Sequence, residues 1–314
     1  MNEILKKIED YGITSTEKLG QHFLIDDGVL DFIGAQVMQG SNVIEVGSGI
    51  GNLTTRLAKR ARKVYGIEVD QKFREVLAEV SNENPNVDVF FQDALKFDYK
   101  GFIRSQRRNE RDNSDWQIIA NLPFNITEPF LRIIAGLPVS SIVLTIGDTS
   151  AESLLTQSPQ SLAFTKNSAV AMAYYEVEKM CDLSRDVFYP PPRTDASIVQ
   201  LVPADSLDKL SPVHQVIRYL LENENRMTVE QAVRQAIQSQ EYKPTGKFID
   251  KRRTHRHERR QLRKDLSLEV YAKSGERQLS KRPDLMLPED IRGLRFSKLD
   301  NSQIRILIAI LLSI

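Results

Sequence analysis

The chain carries one cysteine, Cys181, in 314 residues. A single thiol cannot form a disulfide within the chain, and a Cys-rich zinc site is excluded with it. Histidine is equally sparse. Of His22, His214, His255 and His257, only the last two lie close together, inside a basic run where they read as part of a solvated charged face. No metal is therefore expected. No stretch of about 18 apolar residues occurs, so no membrane span is expected; the nearest, "IRILIAILLSI" at the C-terminus, reads as a packed helix. The opening "MNEILKKIEDYG" patterns as an amphipathic helix of mixed charge, without the apolar stretch of a signal peptide or the acid-poor character of a transit peptide. A cytoplasmic protein with no membrane partner is the expectation. Net charge is missing as well: 43 Lys and Arg face 42 Asp and Glu, so only the distribution of charge can point to nucleic acid.

What is present suits one larger and one smaller domain. Apolar residues make up 41% of the chain, enough for a sizeable core. From 42 to 148 short β-type runs alternate with helical spacing. Strands are expected over 42–46, 63–69, 87–92, 116–121 and 140–147, and helices over 52–61, 71–81 and 127–137. "YYEVEKMCDL" and "SIVQLVP" read as a closing pair of strands. That alternation predicts an α/β fold with a doubly wound, Rossmann-like sheet. After Pro203 strand signals stop, and "SPVHQVIRYLLEN" and "MTVEQAVRQAIQS" have helical apolar spacing. The expected domains are 1–203 and a smaller helical domain, 204–314. Within the latter, 243–264 holds ten Lys or Arg against two acids.

Between the first strand and its helix lies "VIEVGSGIGNLT". Its glycines allow a sharp turn and close approach of a ligand. It departs from the dinucleotide fingerprint Gly-x-Gly-x-x-Gly: the last glycine comes one residue early, and Asn52 stands where glycine is wanted. Glu45, just before the loop, would also repel a pyrophosphate. A cationic ligand fits better, such as a sulfonium with a carboxylate-bearing tail. Glu68 ends the second strand, where a carboxylate can accept both hydroxyls of a ribose, and Asp93 follows the third, where it could accept an adenine amino group. Three carboxylates at three successive strand ends point to a nucleoside.

Asn121-Leu122-Pro123-Phe124 ends the fourth strand. The Asn side chain offers an acceptor oxygen. The Leu122 carbonyl offers another, in backbone kept extended by the following proline. Two acceptors can hold an exocyclic amine and aim its lone pair, while Phe124 offers a face on which a base, taken out of its stack, can lie. Methyl transfer from a sulfonium needs little acid–base chemistry, and the protein must chiefly supply position. No Ser/His/Asp or Cys/His arrangement argues for anything else.

Six segments in order, "KLGQHFLID" (18–26), "EVGSGIGNLT", "GIEVD", "QDAL", "NLPFNIT" and "FYPPPRTDASIVQLVP" (188–203), resemble the motifs of the KsgA family of small-subunit rRNA adenine dimethyltransferases. The resemblance implies a class I S-adenosylmethionine-dependent methyltransferase domain, S-adenosyl-L-methionine as cofactor, and N6,N6-dimethylation of two adjacent adenines in the 3′-terminal hairpin of small-subunit rRNA. The implied partner is the rRNA or the immature small ribosomal subunit, and the protein is expected to be a monomer. Cofactor contacts are implied for Gln21, His22, Leu24, Gly47, Gly49, Glu68, Val69, Asp93, Ala94 and Asn121. Asn121, Leu122, Pro123, Phe124 and Phe188 are implied to hold the target base, and Arg193 to meet RNA. Phe124 stands where the family usually has Tyr, keeping the stacking face and losing a hydroxyl. The family's Lys after the 140–147 strand is absent from "IGDTSAESLL", and its basic segment before the second helix of the C-terminal domain is reduced at 223–233 to Arg226. The 243–264 run, with Arg252, Arg253, Arg259 and Arg260, is expected to take over phosphate contacts. Two rival readings share these residues: an Erm-type methyltransferase of large-subunit rRNA, and a non-catalytic RNA-binding assembly factor.

Overall fold

The structure, a computed structural model, describes residues 3–16, 19–110, 114–204, 212–240 and 287–313. The 243–264 run and its four arginines named above lie outside the described residues. The chain divides into two compact units. One joins Met1–Gln157 to Tyr174–Ala204, and the other joins Ser158–Ala173 to Asp205–Ile314. The sequence boundary at 203/204 leaves Ser158–Ala173 with the first unit; in the structure that segment groups with the helical one.

In the first unit, α1 (Glu3–Asp10), β1 (Phe23–Leu24) and α2 (Asp27–Ala35) precede the sheet. There follow β2 (Asn42–Val46), α3 (Asn52–Ala58), β3 (Lys63–Glu68), α4 (Arg74–Glu83), β4 (Val87–Phe91), α5 (Tyr99–Glu110), β5 (Trp116–Asn121), α6 (Thr127–Ile134), β6 (Ser141–Gly147) and α7 (Asp148–Leu155). After α8 (Lys166–Tyr174), which apart from its last residue belongs to the second unit, the first unit resumes with β7 (Tyr175–Leu183), β8 (Phe188–Tyr189) and β9 (Ala196–Pro203). Seven strands form one sheet in the order β4-β3-β2-β5-β6-β9-β7. β2 to β6 pair in parallel, and β9 runs antiparallel to both of its neighbours.

The expected strands fall where the apolar runs lie, because parallel strands covered on both faces need apolar side chains at most positions. Val43, Ile44, Val64, Ile118, Ile119 and Ile142 are all fully buried. One face packs the rings of Tyr65 and Trp116 in a stack at 5.5 Å, with Phe102 of α5 set edge-on to both. The other face packs Val43, Val64 and Val87 against Val76 and Leu77 of α4. The expected helix over 127–137 stops at Ile134: Ala135 leaves helical geometry (ψ 125°) and Gly136 takes φ 70°. At the start of α3, Gly51 has φ 80°, and a Cβ there would meet Val80 Cγ2 at 2.6 Å. Only glycine lets the loop pass this close to α4.

In the second unit, α9 (Pro212–Glu222) packs on α10 (Val229–Gln240), followed by α11 (Glu289–Arg292) and α12 (Asn301–Leu312). A reciprocal pair of bonds between Asp300 and Gln303 caps α12, which buries Ile304, Leu307, Ile308 and Leu311, the packed helix that "IRILIAILLSI" suggests. Among the described residues no helix is long and apolar enough to cross a membrane, and no group of three or more His, Cys, Asp or Glu is placed to hold a metal ion.

Candidate active site

Strand order reverses between β2 and β5, and ligands of open α/β sheets bind at the carboxyl ends of strands beside such a reversal. A cavity of about 330 Å³ lies there, within the range of small-molecule sites. The loop after β2 brings Gly47 and Gly49 to it, with φ of 78° and 53°. From β3 come Glu68 and Val69, from the turn after β4 Asp93 and Ala94, and from β5 onward Asn121, Leu122, Pro123 and Phe124. Gln21, His22 and Leu24 close it from the N-terminal side, and Phe188 from β8. Of the expected residues that the structure describes, Arg193 and Glu45 do not line the cavity; Arg193 is exposed in the turn after β8.

Glu68 is 5% exposed, and its carboxylate takes one backbone amide on each oxygen, Gly49 N at 2.8 Å and Asp70 N at 2.8 Å. Burial raises its pKa, and the amides of Asp70 and Gly49 offset only part of that. A carboxylate has about four lone-pair sites, so acceptor capacity remains for a diol. Asp93 Oδ1 accepts the N–H of Leu95 at 2.9 Å, and Lys96 Nζ stands 3.4 Å from its Oδ2.

Glu45 behaves differently from the expectation of a third ligand-facing carboxylate. It does not line the cavity. Its Oε2 accepts from Ser48 Oγ at 2.8 Å and Thr54 Oγ1 at 2.6 Å, while Oε1 is buried without a hydrogen-bond partner. The two hydroxyls, three and nine residues on, draw the side chain behind the loop. Burial pushes its pKa up to about 7, against an ordinary 4.5. Folded Glu45 thus keeps a proton at pH values where the unfolded chain has lost it. The stability from this group is full below about pH 4.5 and is lost as pH rises to about 7, a change of about 3 kcal/mol. Glu45→Gln should remove that fall from a plot of unfolding free energy against pH. Parallel plots for the two proteins would reject this account.

The segment ahead of α2 is strapped to the end of β3. Lys72 Nζ donates to Thr14 O at 2.6 Å, Gln21 Oε1 at 2.7 Å and Thr16 Oγ1 at 3.0 Å, and pairs with Asp70 Oδ2 at 3.0 Å. Gln21 Nε2 in turn donates to Asp70 Oδ2 at 2.9 Å. Burial would raise the Asp70 carboxyl, but the bonds from Gln21 and Lys72 outweigh it and hold the pKa below its ordinary value. β1 pairs with β8, setting Leu24 opposite Phe188. Gln21 therefore reaches the cavity as part of a network, and Lys72 positions a wall it does not itself line. Lys72→Met is expected to raise KM for the cofactor about three- to tenfold, with kcat changed less than about twofold, since partly exposed charged bonds contribute modestly. Lys72→Arg should restore KM. A fall in kcat at unchanged KM would contradict a strapping role.

At the β5 side, Asn121 Nδ2 donates to the carbonyl of His22 at 3.1 Å. A carbonyl only accepts, so the amide orientation is fixed and Oδ1 is left to accept from a ligand. By the same reasoning His22 carries its proton on Nδ1, which lies 2.7 Å from Pro190 O. Leu122 N–H donates to Thr145 O at 3.1 Å and Pro123 O accepts from Ile126 N, so this turn is held at both ends. The Phe124 ring rests against Gly147, where a Cβ would come within 3.2 Å of it. His22 lies 6.1 Å from the Phe124 ring, tilted by 35°. Sequence reading missed Lys72, Asp70, Ser48 and the Pro190 carbonyl. Asp70 closes the quoted "GIEVD" and Ser48 lies inside "EVGSGIGNLT", so both were within reach; Lys72 acts through contacts distant in sequence and Pro190 through main chain.

One antiparallel strand in an otherwise parallel seven-stranded sheet, a glycine turn after its first strand and an acidic residue ending its second define a class I S-adenosylmethionine-dependent methyltransferase. Residues 13–270 match the model of the ribosomal RNA adenine dimethylase family. The chain is 34% identical over 224 residues to ribosomal RNA small subunit methyltransferase A of Bacillus pumilus, covering 69% of this chain and 74% of that one. It is 30% identical over 229 residues to the probable ribosomal RNA small subunit methyltransferase A of Methanopyrus kandleri, covering 71% and 77%. Among solved structures, a dimethyladenosine transferase from Plasmodium falciparum shares the fold with a TM-score of 0.53 and 22% identity, covering 92% of this chain and 97% of that one. The chain belongs to the ribosomal RNA adenine dimethylase family.

Proposed function

We propose that this protein dimethylates N6 of adenines in small-subunit rRNA, using S-adenosyl-L-methionine, as part of ribosome biogenesis. The observation that carries the reading is one cavity with two kinds of end. On the β3–β4 side stand Glu68 and Asp93, with Val69 beside them, an apolar side chain left 48% exposed. On the β5 side stand Asn121, Leu122 and the aromatic residues Phe124 and Phe188. The first end fits an adenosyl group: Glu68 for the ribose diol, Asp93 for an amine, Val69 for the flat face of a base. The second fits a base presented by RNA.

When bound, S-adenosylmethionine supplies an electrophilic methyl on a sulfonium. The chain's own residues do the rest by placement. Asn121 Oδ1 and the Leu122 carbonyl accept hydrogen bonds from the exocyclic amine and aim its lone pair. Phe124 and Phe188 hold the base plane. Gln21, His22 and Leu24 wall off water on the N-terminal side. Such positioning is worth several orders of magnitude in rate without a strong acid or base. Arg193 is proposed as an RNA contact on the exposed turn after β8. The proposal extends to the immature small ribosomal subunit as partner, a cytoplasmic setting and a monomeric enzyme.

The deciding experiment supplies radiolabelled S-adenosylmethionine with unmodified small ribosomal subunits, and with large subunits as control, and maps the label. Dimethyladenine in the 3′-terminal hairpin of the small subunit is expected. Label in the large subunit would move the protein to the Erm-type reading; no label with cofactor still bound would favour the non-catalytic one.

A further inference from the structure

We infer that the outward face of α5 is a track for the phosphodiester backbone of the RNA substrate; this rests on the rRNA reading above. The inward face of α5 is fixed by the sheet. Phe102 packs on Tyr65 and Trp116, Tyr99 on Phe130, and Ile103 is fully buried. At 100° per residue the opposite arc holds Lys100, Arg104, Arg107 and Arg108. All four are exposed. Among the described residues only Arg107 of the four finds a bond, to Pro138 O at 3.1 Å through one guanidinium nitrogen. Among residues whose side chains are described, no acid pairs with Lys100, Arg104 or Arg108.

Three further observations give the face a ligand. First, α5 begins beside the cavity: Tyr99 Oη donates to the carbonyl of Ala94, which lines it, at 3.0 Å, and Lys96, just ahead of the helix, stands by Asp93. Second, charge is separated across the sheet. On the other face α4 exposes Glu75, Glu79 and Glu83 with Arg74 as its one exposed cation, so in a chain with a net charge of +1 the exposed surfaces of these two helices carry opposite charge. A polyanion is drawn to α5 and turned from α4. Third, the basic arc contains no apolar side chain; Gly101 and Ser105 are its other members. A lipid surface needs apolar residues to insert, so this face has nothing to offer a bilayer. Lys100 to Arg108 spans about 12 Å of helix, while a duplex carries roughly one charge per 1.7 Å of axis, so several phosphates pass within reach. Arginine forks suit phosphate oxygens in pairs.

The test is filter binding of the full chain to unmodified small ribosomal subunits between 50 and 200 mM KCl. In Lys100→Gln/Arg104→Gln/Arg108→Gln, affinity at 150 mM should fall about tenfold or more, and the slope of log K against log salt should shrink by about two to three. Arg104→Lys/Arg108→Lys, which keeps the charges, should bind like the parent. Cofactor affinity should be unchanged in both, since none of these residues lines the cavity. A parental slope in the triple variant overturns the inference while leaving the enzymatic reading intact. An equal loss in the lysine variant also overturns it, because geometry rather than charge would then be at stake. Failure of the parent to bind small subunits overturns both readings together.

Discussion

Asn121→Ala is expected to lower kcat for methyl transfer by about 10²–10³-fold. Two effects combine. The substitution removes Oδ1, one of two acceptors proposed to hold the target amine. It also removes the 3.1 Å bond from Nδ2 to the His22 carbonyl, which ties the cavity's N-terminal wall to β5. The stability cost is that of one hydrogen bond, about 1 kcal/mol, because β5 itself is fixed by pairing to β2 and β6. Asn121→Asp separates the two effects. It keeps an acceptor toward the amine but sets an oxygen against the His22 carbonyl, so the wall is pushed away. Aspartate should therefore weaken cofactor binding as well as turnover. Single-turnover methylation with saturating cofactor reads the first effect, and cofactor affinity the second. If Asn121→Ala stays within about fivefold of the parent rate, the amine is held by other groups.

The parts of this site that could be read from sequence are those fixed by local pattern. β2, β3, β5 and β6 are buried on both faces, so each prints a mainly apolar run, as β4 also does, and a residue at or just past the end of such a run marks the ligand-binding edge. Glu68, Asp93 and Asn121 were found that way. Position at a strand end does not say which way a side chain turns. Glu45 was grouped with the other carboxylates, yet Ser48 and Thr54 hold it behind the loop. The helix α5 was invisible for a related reason. Its apolar face is only Tyr99, Phe102 and Ile103, diluted by Gly101 and a run of polar residues, and its packing is owed to aromatic rings on β3 and β5. Lys72 reads as one more surface lysine, because its partner Thr14 lies 58 residues away. The pairing of β1 with β8 is likewise a tertiary fact: two-residue strands have no period to detect. The sequence motifs nevertheless named both partners, since "QHFLID" and "FYPPP" contain the two strands.

Glu68→Gln should raise the dissociation constant for S-adenosylmethionine by about 10²-fold. The parent carboxylate accepts Gly49 N–H on one oxygen and Asp70 N–H on the other. Glutamine can satisfy only one of them. Whichever way its amide is turned, an NH₂ group meets a backbone N–H in a site only 5% exposed. Leaving a buried donor unpaired costs about 1–3 kcal/mol, and here it loosens the Gly49 turn against which the cofactor would lie. Removing the negative acceptor also weakens the bonds proposed from both ribose hydroxyls, each of the charge-assisted kind worth about 1.5–3 kcal/mol. Titration with pH supplies an independent signature. Burial raises the Glu68 pKa, so on acidification the parent takes up a proton there earlier than an exposed glutamate does, and it loses an acceptor in doing so. Cofactor affinity in the parent should fall as pH drops toward that raised value, and in Glu68→Gln that dependence should disappear, leaving uniformly weak binding. Calorimetric titrations from pH 5 to 8 distinguish the two, and a pH dependence that survives in the variant would assign the proton to another group, with Glu45, whose pKa is pushed up to about 7, the next to replace.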